Sequence, residues 1–302
     1  MPKLTIEQEL KLCEEYTNRK IKEKDLQIKY GICNLSIRNI RKRHNIPRRS
    51  KIGIDTIDFD EDYFETIDTP AKSYYLGFIS ADAHIKPNTL SIGLSIKDIS
   101  LLENFKKELK SDHSIKFRSK FLKSTQKSYE HCYLNITRLK LYQDLIKHGI
   151  GPNKSKELSI PKTISDELIK DFVRGYIDGD GTFSIKKNNQ LSFGFVSSVY
   201  SFAEELKNYL ISKIEINDVI IRTKQGCVEC MWGGNIQCKR IFEFLYSRGP
   251  WLDRKYKLVS EHLKNYDDDI KTKGGSNLIQ KKNYAKNPKI LSDLDRILGF
   301  GK

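Results

Sequence analysis

YLGFISADA at residues 75–83 and VRGYIDGDG at residues 173–181 are versions of one another, and the way they are read decides the fold. Each is an apolar run with small residues four apart, Gly77 and Ala81 in the first and Gly175 and Gly179 in the second. Each ends in an aspartate followed by a small residue, Asp82-Ala83 and Asp180-Gly181. Positions i and i+4 share a face of a helix, so each segment carries a flat strip along which a second backbone can come closer than the usual ~8–10 Å between helix axes. Strips that face each other bring Asp82 and Asp180 together. A carboxylate at a helix C-terminus lies at the negative end of the dipole, and two such carboxylates repel. Something positive must sit between them, most simply a divalent metal.

Outward from these two runs the chain repeats itself. After Asp82 comes HIKPNTLSIGLSIKD with a turn at Pro87 and Asn88, and after Asp180 comes GTFSIKKNNQLSFGFVSS with a turn at Asn188 and Asn189. Both read as β-hairpins. A helix follows in each half, near residues 99–111 and 200–214, then a second pair of strands, SIKFRSKF and HCYLNIT in the first half and VIIRTKQG and VECMWGG in the second. Each half closes with a further helix, near 138–150 and 235–249. The order is α-β-β-α-β-β-α, twice.

The two runs, the doubled order and the basic charge together resemble the single-chain, two-motif LAGLIDADG homing endonucleases, over roughly residues 70–265. The resemblance implies a pseudo-twofold α+β nuclease in which the motif helices form the interface and each half presents a saddle-shaped antiparallel sheet to the DNA major groove. It implies that Asp82 and Asp180 are catalytic and bind Mg²⁺ (or Mn²⁺), two or three ions shared between them. It also implies that a lysine after the last helix of each copy, Lys154 in GPNKSKEL and Lys255 in LDRKYKL, polarises water or the charge of the transition state; a lysine satisfying the carbonyls of a helix end is the equal alternative. Two departures mark the first copy: Ser80 stands where the second has Asp178, a local hydrogen-bonding position, and Ala83 stands where a glycine at positive φ is expected, at a strain of roughly 1 kcal/mol. Unequal activity on the two strands is a corollary. His84 reads as a polar or packing residue at the start of a strand.

Alternate positions on the expected strands are basic: Lys86, Lys116, Arg118, Lys120, Lys186, Lys187, Arg222 and Lys224. A sheet with one face on a core leaves the other free, and a side chain on every second residue of a strand ribbon can reach base edges or phosphates. Residues 1–50 read as a separate helical unit: a first helix from Glu7 to Lys20 with Leu10, Cys13 and Tyr16 inward, then Lys24 to Tyr30, a break at Gly31, and a second helix capped by Asn34 or Ser36 with Ile37 and Ile40 inward. Helix, glycine turn, helix is the helix-turn-helix order. It turns Arg38, Asn39, Arg41, Lys42 and Arg43 outward, with Arg48 and Arg49 continuing the basic run, as a DNA-recognition helix requires. The domains expected are thus 1–50 helix-turn-helix, 51–71 an acidic linker, 72–165 and 166–265 the two repeats, and 266–302 a polar tail with a short helix near 288–298.

Composition narrows the classes. Fifty-four Lys+Arg against 39 Asp+Glu give a net charge of +15, which calls for a polyanionic partner. No apolar run approaches the ~20 residues of a membrane span, and the N-terminus lacks a signal-peptide core, so a soluble intracellular protein is expected; the resemblance implies a monomer acting on double-stranded DNA. Cys227 and Cys230 form one C-x-x-C with only Cys238 near, where a structural zinc needs a second ligand pair; reduced thiols are the reading. The functional expectation is a metal-dependent, sequence-specific endonuclease that cuts both strands of a long asymmetric site and so promotes the mobility of its own genetic element. An RNA maturase on the same fold and an inactive DNA-binding regulator are the alternatives, and the two intact aspartates argue against both.

Overall fold

Three short helices come first, α1 (Ile6–Thr17), α2 (Glu23–Tyr30) and α3 (Asn34–Arg43). The structure, a computed structural model, describes residues 4–18, 21–46, 57–122 and 126–272. Thr5 and Gln8 cap α1 reciprocally, each backbone N–H donating to the other's side chain. Gly31 ends α2 in the left-handed region at φ 60°, which lets the chain turn at once into α3. Leu12, Cys13, Tyr16, Leu26, Ile32, Ile37 and Ile40 form a core of their own. Leu10 is exposed and Leu12 holds the inward position instead, and α3 is preceded by Cys33 as its cap residue, not Asn34 or Ser36.

Residues 57–69, expected to be a spacer, belong to the main body. Tyr63, Phe64 and Ile67 are buried in its core, and their burial outweighs the acidic character that suggested a linker. The acids are matched locally: Arg138 pairs with Glu61, and Lys140 with Asp62 and Glu65.

Two copies of one topology follow. The first runs α4 (Pro70–Asp82), β1 (Ala83–Lys86), β2 (Thr89–Ser95), α5 (Ile99–Glu108), β3 (Lys116–Leu122), β4 (Lys127–Thr137) and α6 (Leu139–Lys147). The second runs α7 (Asp166–Asp180), β5 (Gly181–Ile185), β6 (Leu191–Ser197), α8 (Tyr200–Lys213), β7 (Arg222–Lys224), β8 (Cys227–Gly233) and α9 (Asn235–Leu245). Each half forms a four-stranded antiparallel sheet, in the orders β1-β2-β4-β3 and β5-β6-β8-β7. The hairpin turns are where the sequence puts them, with Asn88 and Asn189 both at positive φ. A helix not foreseen, α10 (Asp253–Thr272), ends the described chain. It is anchored by Val259 and Leu263, and it runs past residue 265, so the first seven residues of the expected polar tail are helical. The expected helix near 288–298 lies outside the described residues.

The α4–α7 pair is the most extensive contact between any two elements. A Cβ built on Gly77 would collide with the backbone carbonyl of Phe172, and one built on Gly175 with that of Tyr74. The two collisions are counterparts of one another in the two copies, and they explain both glycines: the helices touch backbone to backbone. One turn further on Gly179 faces Ala81 through that residue's methyl group, with which a Cβ would collide. The four small residues singled out from the sequence therefore line one seam.

Candidate active site

Helices α4 and α7 end at Asp82 and Asp180, and their close crossing sets the two carboxylates side by side. An ideal Cβ on Gly179 would lie 3.3 Å from Asp82 Oδ2 and would collide with the Ala81 methyl, and the second contact is the one that excludes a side chain beside that carboxylate. Asp82 opens to solvent on one side and is crowded by the helix ends on the others; dehydration, and after it repulsion from Asp180, pushes its carboxyl up to about 6. Asp180 is half-buried and also raised, by dehydration first, against the lowering pull of Lys154, the Tyr176 hydroxyl and Lys255.

The residue after each aspartate departs from expectation in an instructive way. Ala83 has φ −80° and Gly181 φ −95°, both extended, so neither position needs a left-handed backbone and Ala83 carries no strain. Gly181 is required by space instead: a Cβ there would lie 2.5 Å from the carbonyl oxygen of Ile177.

Lys154 and Lys255 take up equivalent places. Lys154 Nζ donates to the carbonyls of Ser80 (2.7 Å) and Ala81 (2.6 Å) at the end of α4. Lys255 Nζ donates to Ile177 (2.7 Å), Asp178 (2.7 Å) and Gly181 (2.5 Å) at the end of α7. Both neutralise the negative end of a motif helix just where an aspartate has been added to it. Burial lowers the pKa of each ammonium. Lys255 is buried with all three N–H groups engaged, which makes it a positioning group; Lys154 keeps one donor in hand.

The sixth motif positions differ as the sequence suggests, and the difference builds a network that sequence reasoning missed. Ser80 turns back to the Leu76 carbonyl (2.8 Å). Asp178 is buried and accepts from the Tyr74 hydroxyl (2.7 Å), the Tyr246 hydroxyl (2.5 Å) and the Leu252 N–H (2.7 Å). Tyr74 reaches it across the seam from α4. Below it Asp171 and Arg174 form a second buried pair, joined by Arg248. No local pattern announces Tyr246 or Arg248, whose partners lie far away in sequence.

Strand register decides the remaining candidates. In the first sheet Lys116, Arg118 and Lys120 lie on one face of the edge strand β3, paired with Tyr133, His131 and Tyr129, while the alternate residues Phe117 and Phe121 lie on the opposite face and are exposed as well. His84 and Lys86 share that outer face through β1, and no carboxylate lies on it among the strand residues. In the second sheet Arg222 and Lys224 are outward and exposed, and Lys224 is tied to Glu229 (2.6 Å). Lys186 and Lys187 are exposed just past β5. In the N-terminal unit Arg38, Asn39 and Lys42 are exposed on α3, and Arg43 is exposed while pairing with Glu9 (2.9 Å). Arg41 is a correction: it is 7% exposed, donates to the Ile46 carbonyl (2.7 Å) and lies over the Tyr16 ring. Its helical phase puts it inward beside Ile37 and Ile40, so it is a structural residue. Arg48 and Arg49 lie outside the described residues, as does the Lys120 side chain.

Asp82 and Asp180 are the acidic donors that this site offers among the described residues. Among the described residues no group of three or more His, Cys, Asp or Glu is arranged to hold a metal. That set suits Mg²⁺, which binds through one or two carboxylates and fills its octahedron with water and substrate phosphate; it does not suit zinc. The C-x-x-C is no alternative, since Cys230 is buried on the core face of β8 while Cys227 faces the other way. No helix among the described residues is long and apolar enough to cross a membrane.

Residues 167–243, within the second repeat, match the family described as the LAGLIDADG-like domain. The first repeat has the same element order and strand topology as the second, which contains the matched residues. Among solved structures, similar chains include the LAGLIDADG meganuclease I-CpaMI bound to uncleaved DNA, at 16% identity over 68% of this chain and 93% of that one, TM-score 0.45. The homing endonuclease I-WcaI bound to its DNA recognition sequence is similar at 14% identity over 71% and 97%, TM-score 0.49. The I-SmaMI LAGLIDADG homing endonuclease bound to cleaved DNA is similar at 15% over 78% and 98%, TM-score 0.42. No curated protein sequence matches the chain.

Proposed function

We propose that the protein is a sequence-specific DNA endonuclease of the homing type, a monomer with internal pseudo-twofold symmetry that hydrolyses one phosphodiester in each strand of a long asymmetric site. The observation that carries this reading is the meeting of Asp82 and Asp180 at the end of a backbone-to-backbone helix seam, with a sheet bearing outward basic residues in each half. Two carboxylates that repel each other and have no third acidic ligand are poised for hard cations, Mg²⁺ or Mn²⁺, two or three shared between them. Held there, such ions supply neutralisation of the charge that develops on phosphate and lower the pKa of water. Asp82 and Asp180 hold the ions, Lys255 fixes the end of α7, and the spare donor of Lys154 is directed to the phosphate charge. The sheets bind the duplex as saddles in the major groove through Lys86, Lys116, Arg118, Lys120, Lys186, Lys187 and Arg222. The N-terminal helices act as a helix-turn-helix module, adding contacts from Arg38, Asn39 and Lys42, and the break so made promotes copying of the protein's own genetic element.

Selection of cleaved molecules from a randomised duplex library tests this. Double-strand breaks are expected at a defined sequence with Mg²⁺ and none with EDTA, and Asp180→Asn is expected to abolish cutting while leaving binding within a few-fold. Specific binding without any metal-dependent cleavage would replace this reading with an inactive regulator, and a preference for structured RNA would replace it with a maturase.

A further inference from the structure

Gly93 sits in the middle of β2, where glycine weakens a strand unless something needs the space. Its cross-strand partner is Tyr133, and an ideal Cβ at residue 93 would come within 2.6 Å of Tyr133 Cε1. One edge of the tyrosine ring, Cδ1–Cε1, therefore occupies the space over the glycine on the outer face of the sheet. The guanidinium of Arg118 lies over that ring, its Cζ 5.4 Å from the centroid, and His131 flanks the same ring at 6.2 Å. Arg118 is exposed, and no carboxylate or carbonyl among the described residues holds its N–H groups. Its situation is unlike that of the other outward bases: Lys224 is spent on Glu229, Arg43 on Glu9, and Lys116 and Lys86 are unstacked point charges.

An unpaired guanidinium held over an aromatic ring by a cation–π contact is restricted before any ligand arrives, so less rotamer freedom is lost on binding. Its planar fork matches two acceptors on one edge, and in the major groove that pair is the O6 and N7 of guanine. A lysine in the same place can also donate to guanine, but as a rotating point charge without the fixed two-point fork of a guanidinium. We propose that Arg118, held by Tyr133 over Gly93, is a specificity-determining residue that reads one guanine in the half-site bound by the first repeat. The inference rests on the DNA-binding reading above.

The test is enrichment of bound duplexes from a randomised library by the full chain, comparing wild type with Arg118→Ala, Arg118→Lys and Tyr133→Leu, each checked for an unchanged melting temperature. Wild type should enrich a site with one strongly required guanine whose discrimination falls at least about tenfold in Arg118→Ala, other positions holding. Arg118→Lys should relax the same preference by a smaller factor than Arg118→Ala while retaining most of the affinity, because it keeps the charge and loses the fork. Tyr133→Leu should relax the same position by a smaller factor. An Arg118→Ala variant that binds all sequences more weakly with an unchanged preference would overturn the proposal and make Arg118 a phosphate contact, leaving the DNA reading intact. Failure of the wild type to enrich any duplex would overturn both.

Discussion

Asp82 and Asp180 are costly residues for the metal-free protein. The Asp82 carboxyl is raised to about 6 from an ordinary value of 3.8; a raised carboxylate binds its proton more tightly folded than unfolded, so this residue's contribution favours folding increasingly as pH falls from about 6 toward 4 and opposes it above. Asp82→Asn removes the repulsion, and it should raise the melting temperature of the metal-free protein at pH 7.5 by a margin that shrinks toward zero near pH 4; a margin independent of pH would contradict the assignment. The same proton competes with a cation. Binding of Mn²⁺, followed by loss of its free-ion EPR signal, should weaken as pH drops through about 6. Asp178 is a different kind of acid, held by three donors and isolated from solvent. Burial raises its pKa, and removing one donor by Tyr74→Phe, which deletes a hydrogen bond to a buried carboxyl, should cost about 1–3 kcal/mol in urea denaturation.

At the scale of elements the glycines of the seam set the separation of the carboxylates. Gly175→Ala places a methyl against the Tyr74 carbonyl, where neither neighbour can rotate away, and α4 and α7 must separate or tilt. A loss of about 3 kcal/mol or more is expected, together with weaker Mn²⁺ binding because Asp82 and Asp180 move apart; an alanine variant with full stability and full metal affinity would mean that the seam is looser than described. The helices, hairpins and seam are legible in the sequence because each is encoded locally, by the four-residue spacing of small residues, by Asn88 and Asn189 in the turns, and by strand alternation. What is not legible depends on contacts between distant residues. Asp178 cannot announce that Tyr246 will reach it, Arg41 looks like its exposed neighbours until the phase of α3 buries it, and the acidic stretch around Asp60 hides Tyr63 and Phe64. The two site lysines are visible only as lysines after a helix; the carbonyls that they hold, from Ser80 to Gly181, are known once both helix ends are placed beside them.

For the molecule as a whole, charge is the larger theme. A net charge of +15 over the whole chain makes the proposed DNA binding strongly dependent on salt, since each phosphate neutralised releases about 0.9 of a counterion. Deleting residues 1–46 should therefore reduce the slope of log affinity against log salt by roughly 0.9 for each phosphate that those helices neutralise, measured by fluorescence anisotropy on a labelled duplex; an unchanged slope would show that Arg38 and Lys42 do not touch DNA. One consequence of the buried Asp178 concerns how such a chain can change. Tyr74 and Phe172 occupy corresponding places, as their carbonyls against Gly175 and Gly77 show, yet only Tyr74 has a hydroxyl and only Asp178, opposite it, has a carboxylate. A dimer of second repeats would set phenylalanine against each buried acid, and a dimer of first repeats would set each tyrosine against Ser80. If the two halves descend from one duplicated gene, this pair of substitutions acts as a ratchet: neither half can return to life as a homodimer without first undoing its side of the bond.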